Sequence, residues 1–213
     1  MNQTLHPLRI VLVVLAVYLG IAAFIACDAP RDLAHYLYSE QGPYETVSVW
    51  LWLILAGQAL LTRSLHAHTR ITAALAALLM GAREMDLHKS LFSTSFIKMP
   101  FYKSPTISLH DKLLGGLLLL ALAALLVYLG ITLFRHLRNR GLSDTPTLLL
   151  VSGLFLGAVS KALDRFSSQM HELFSIEVTA ATRWLIVSLE ESLEMTLPLF
   201  FILALLTLRQ RRC

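Results

Sequence analysis

The stretch ITAALAALLMGAREMDLHK, Ile71 to Lys89, is apolar for twelve residues and then packs five ionisable side chains into its last seven. A helix facing water spreads its charge along one face for its whole length. Here the charge is held back until the apolar run has ended, as at the end of a membrane-crossing helix. The composition agrees. The 213-residue chain is 56% hydrophobic and 15% charged, against about 25% charged for a soluble domain.

Crossing hydrocarbon takes about 20 helical residues. Six runs are long enough, at roughly 9–27, 45–63, 70–90, 112–134, 146–165 and 183–207. They use most of the chain. The expected fold is therefore all-α, a single bundle of six transmembrane helices over residues 1–213, with 89–110 as an interfacial loop. Lys and Arg in short loops set orientation. Arg9, the Arg63–Arg70 loop, the Arg135, Arg138 and Arg140 loop, and the Arg209, Arg211 and Arg212 tail all fall on one side. That side is expected to be cytoplasmic, with both termini there, in a cell inner membrane. The loop holding Lys89, Lys98, Lys103 and Lys112 runs against the rule. The net charge of +4 is mostly this signal, which excludes a nucleic-acid footprint on a soluble face.

FIAC ending at Cys27 resembles a lipoprotein cleavage box, but the long apolar region and the five later spans favour an uncleaved first helix. Cys27 and Cys213 fall on opposite sides, so no disulfide is expected.

The strongest anomaly is RWLIVSLEESLEMTLPLFFILALL, Arg183 to Leu206, where Glu190, Glu191 and Glu194 interrupt an apolar helix. Each charge near a bilayer centre costs roughly 2.5–3.5 kcal/mol on insertion scales. Such acids are tolerated when protonated, paired or bound to a cation. Other polar groups fall at the same depth: Glu45 at the start of the second span, Arg83 to His88, His110, and Lys161, Asp164 and Arg165 at the end of the fifth. Glu45, Ser48 and Trp52 share a helical face. Glu84 and His88, four apart, would share one on the third. The loop Ser90–His110, with Pro100 and Pro105, reads as an interfacial lid, and the Leu/Ala/Gly-rich fourth span as lipid-facing scaffold.

The leading expectation is an intramembrane, metal-dependent hydrolase or transferase acting on a lipid or lipid-linked substrate. Glu45, Glu84, His88, Glu190, Glu191 and Glu194 would be catalytic. Glu84, His88, Glu191 and Glu194 would hold a divalent ion, zinc or another, that activates water. Arg83, His110, Lys161, Asp164 and Arg165 would bind substrate, the cations holding a phosphate or oxyanion. A cation- or proton-coupled transporter and an accessory subunit with a structural ion-pair network are the alternatives. The Glu190-Glu191 pair resembles the opening of the CAAX-protease motif. That motif has Arg four residues after its second Glu, where Met195 stands, and its His partners do not appear.

Overall fold

The computed structural model describes residues 6–28, 30–39, 42–87, 96–97, 99–142 and 144–210. These residues are helical, without strands. In chain order the helices are α1 (His6–Asp28), α2 (Arg31–Leu37), α3 (Pro43–Leu61), α4 (Ala67–Glu84), α5 (Met99–Lys103), α6 (Leu109–Arg140), α7 (Thr145–Phe174) and α8 (Ala180–Gln210). Four of them, α3, α6, α7 and α8, are long and apolar enough to cross a membrane. In α1 the corresponding apolar stretch is Leu15–Ile25. Expected as a span, α4 is Ala-rich and carries Arg70, Arg83 and Glu84 within its 18 residues, which lowers its hydropathy. Helices α6, α7 and α8 run to 32, 30 and 31 residues. At 1.5 Å per residue each is about 45 Å or more, longer than a hydrocarbon layer of roughly 30 Å.

Local chemistry fixes where these helices begin and end. Gly42 precedes Pro43, which occupies the first turn of α3, where a missing N–H leaves nothing unpaired. A side chain at Gly42 would come within 2.8–2.9 Å of the Tyr36, Leu37 and Ser39 carbonyls, so only glycine fits that approach. Ser108 caps α6 by accepting from the Asp111 amide, and Asp144 caps α7 by accepting from the Thr147 amide. His136 Nε2 lies 3.4 Å from the same Asp144 oxygen, tying the end of α6 to the start of α7. The third apolar run stops at Glu84 rather than near residue 90. Met85 and Asp86 form a turn in which Asp86 adopts φ 49°. The one-turn spacing expected of Glu84 and His88 therefore does not rest on continuous helix.

Helix α8 is the axis of the packing. It lies against α7, α3 and α1, and α4 packs on α3. Small residues let the helices approach closely. Ala56 and Ala59 of α3 meet Ala74 and Ala77 of α4 in a core shared with Trp52, Leu55, Leu197 and Leu205. Leu149 of α7 packs on Phe200 and Ala204 of α8, with Leu15 of α1 beside them. Helix α6 is peripheral, as its Leu/Ala/Gly composition suggests, and none of its most apolar stretch is buried. Helix α1 lies along α8.

Gly153 marks a close α7–α8 contact. A Cβ there would fall 2.8 Å from the Phe201 ring and 3.2 Å from Phe200 Cβ, whereas Gly130 of α6 has open space around it. A Gly153→Val protein is expected to lose about 1–3 kcal/mol through overpacking, and Gly130→Val less than about 1 kcal/mol. Thermal unfolding of both purified variants in detergent checks this, and equal losses would remove Gly153 as a packing determinant.

Candidate functional site

The polar positions of α8 divide by helical spacing. Glu190 and Glu194, four apart, share a face, while Glu191 is turned about 100° from Glu190. The first face meets α7. Lys161 Nζ is 2.9 Å from Glu194 Oε1 and 3.8 Å from Glu190 Oε1, and it donates to Asp164 Oδ2 at 3.2 Å. The wholly buried Ser160 hydroxyl donates to the same Glu194 oxygen at 3.3 Å. From α4, Arg83 reaches across to Glu194 Oε1 at 3.5 Å and stands 4.0 Å from Glu84 Oε1. One carboxylate oxygen thus gathers groups from α4 and α7 onto α8. The carboxylates are the better-buried partners: side-chain exposure is 14% for Glu194 and 9% for Glu84, against 45% for Lys161 and 41% for Arg83.

The second face looks toward α3 and α4. Among the described residues Glu191 makes no ion pair. Tyr38, in the turn after α2, covers this region. Its hydroxyl is buried beside Tyr44, Ser188 and Ser192. Burial first, and then Tyr44, push that phenol well above its ordinary range, so it stays protonated. Ser188 and Ser192 donate to the Trp184 and Ser188 carbonyls at 2.9 and 2.7 Å, leaving their lone pairs unused by these bonds.

Not every expected site residue joins the cluster. His110 is exposed at the start of α6 and lies 3.6 Å from its neighbour Asp111. Arg165 is exposed and makes no ion pair among the described residues. His88 lies outside the described residues. Ser160 and Tyr38 were not singled out from the sequence as site residues. Ser160 carries a signal in hindsight, as the residue next to Lys161 and one turn from Asp164. For Tyr38 nothing in the sequence places its loop against α8.

Between α7, the 175–179 link and α8 lies an open groove of about 610 Å³. Ser167, His171, Glu177 and Arg183 line it, and Asp164 and Glu190 bring it to the edge of the cluster. Of the four expected metal ligands, His88 lies outside the described residues. Among the described residues no three His, Cys, Asp or Glu side chains are grouped to hold one. Glu194 Oε1, an expected ligand atom, already faces two cations that would repel a third. Searched against protein families, curated proteins and solved structures, the chain matches none.

Removing one partner of a buried ion pair typically costs about 3–5 kcal/mol, and exposure of Lys161 and Arg83 reduces that. Glu194→Gln is expected to destabilise by about 1–3 kcal/mol, and exposed Asp164→Asn by at most about 1 kcal/mol. Unfolding of the two variants tests the ranking. A Glu194→Gln loss no larger than that of Asp164→Asn would show that Glu194 is not the hub.

Proposed function

We propose that the chain is a six-span protein of the cell inner membrane, with both termini cytoplasmic and the polar cluster in the outer half of the bilayer. We further propose that the cluster is the site of a hydrolase or transferase acting on a lipid or lipid-linked substrate. The observation that carries this reading is one-sidedness. The groove along α7 and α8 reaches Asp164 and Glu190 from one end. Toward the other end the same helices close on Leu149, Phe200, Ala204 and the Gly153–Phe201 contact. Alternating access needs a path to both sides, and that packing opposes one.

In this scheme Glu190, at the groove, takes a proton from water or an acceptor hydroxyl as it attacks the substrate carbonyl or phosphoryl group. Lys161 and Arg83 stabilise the oxyanion that develops. A protonated carboxyl, Glu191 or Glu84, returns a proton to the leaving group. Glu194 positions the two cations, and Asp164 positions Lys161. No step in this scheme is routed through a divalent metal.

Purified protein in vesicles of phosphatidylethanolamine and phosphatidylglycerol, with a pH dye trapped inside, separates the readings. Lipid conversion followed by mass spectrometry is expected, without proton flux and insensitive to chelators. A Glu190→Gln protein of unchanged melting temperature should lose at least about a hundredfold in rate, in line with general acid–base catalysis. Proton flux without conversion would replace this reading with transport. Neither activity would leave a structural network, and loss on chelation restored by zinc would restore the metal. The basic loop Arg63–Arg70 is expected to be labelled only from the cytoplasmic side when a cysteine is placed there.

A further inference from the structure

The groove between α7, the 175–179 link and α8 carries charges of both signs, and only its inner edge neutralises them. There Asp164 and Glu190 both stand against Lys161 Nζ, at 3.2 and 3.8 Å. Toward the link, Glu172, Glu177 and Arg183 line the same space. All three are exposed, and none makes an ion pair among the described residues. One base and two acids thus border one cavity without pairing with each other.

Helical spacing orders the groove along its length. Arg183, Ile186, Val187 and Glu190 recur at three and four residues on α8, as Asp164, Ser167, Ser168 and His171 do on α7. Seven residues of helix put Arg183 about 10 Å from Glu190 along α8. Ile186 and Val187 lie between them, with Leu163 contributed by α7. From the link inward the order is therefore charge, apolar wall, acid. The volume, about 610 Å³, falls within the roughly 300–1,000 Å³ of small-molecule sites.

We propose that the outer end of this groove binds the headgroup of a zwitterionic phospholipid bearing a primary ammonium, its phosphate on Arg183 and its ammonium on Glu172 and Glu177. The proposal rests on the enzyme reading above and names its substrate class. A guanidinium presents a planar fork of N–H donors that matches phosphate oxygens. The Ser167 hydroxyl and the His171 imidazole, on the facing helix, add donors of shorter reach. An anionic headgroup would bring its charge against two carboxylates, and a cationic one against Arg183. A zwitterion meets both signs, with its own charges only a few bonds apart. A lipid rather than a free headgroup is favoured by the apolar wall of Ile186 and Val187, which suits the glycerol and first acyl carbons. The acyl esters, which follow the phosphate into the membrane, then lie on the Glu190 side.

The test titrates the full-length protein in maltoside micelles, following tryptophan fluorescence, with Trp184 next to Arg183 as a reporter. The probes are dihexanoyl phosphatidylethanolamine, dihexanoyl phosphatidylglycerol, dihexanoylglycerol and free phosphoethanolamine. The ethanolamine lipid is expected to bind about tenfold tighter than the other three, the equivalent of one hydrogen bond to a charged group. Arg183→Gln should reduce it to the level of dihexanoylglycerol. Glu172→Gln combined with Glu177→Gln should remove its preference over phosphatidylglycerol. Equal binding of the two phospholipids, or of dihexanoylglycerol, by the wild-type protein overturns the proposal without need of any variant. So does a preference that survives in both variants at unchanged melting temperature. Free phosphoethanolamine binding as tightly as the lipid would overturn the lipid assignment in favour of a soluble amino phosphate. Binding needs no turnover. Selective binding without lipid conversion would therefore remove only the catalytic reading, and conversion without this preference only the present one.

Discussion

Glu194 Oε1 is the point on which the architecture converges. Arg83 from α4, and Lys161 and Ser160 from α7, meet on one oxygen of α8. Buried ion pairs add little net stability, because desolvation offsets their attraction. Their stronger effect is on register. Sliding α8 by one turn would carry Glu194 about 5.4 Å away and leave Lys161 and Arg83 without their shared acceptor. Two neighbouring helices are thereby held at one depth relative to α8, and α3 follows α4 through their alanine contacts.

The apolar half is built by the opposite means. Gly153, Gly157, Ala56, Ala59, Ala74 and Ala77 bring backbones close, and Phe200 and Phe201 fill what remains. Such packing tolerates neither water nor a moving ligand. The two halves of α8 therefore divide the work: SLEESLE collects charge and borders the groove, while LPLFFILAL closes the bundle. Pro198 sits at the join, wholly buried.

Much of this was legible because an apolar background makes polar residues conspicuous. Glu190, Glu191 and Glu194 stand out in α8 against Leu, Ile and Phe, and Lys161 and Asp164 follow by spacing alone. What spacing could not supply was a partner. The choice of Lys161 over Arg165 for Glu194 depends on which face α7 turns to α8, and both cations suited the sequence equally. The end of α4 was misplaced because MDL continues a helical pattern and only the backbone shows the positive φ of Asp86. His110 matched the cluster in apparent depth, but α6 stands at the periphery of the bundle. Tyr38 arrives through a loop, whose path no periodicity encodes.

The charge balance differs between the two faces of the cluster. A structural cluster is improved by matching acid to base, since every unmatched carboxylate carries its desolvation without a return interaction. Among the described residues the α7 side approaches such matching, with Lys161 serving Glu190, Asp164 and Glu194 at once. On the α3–α4 side Glu84 stands 4.0 Å from Arg83, and among the described residues Glu191 makes no ion pair. Charge is thus matched most closely around Glu194 Oε1, where α4 and α7 both reach α8, and less closely one face further round the same helix.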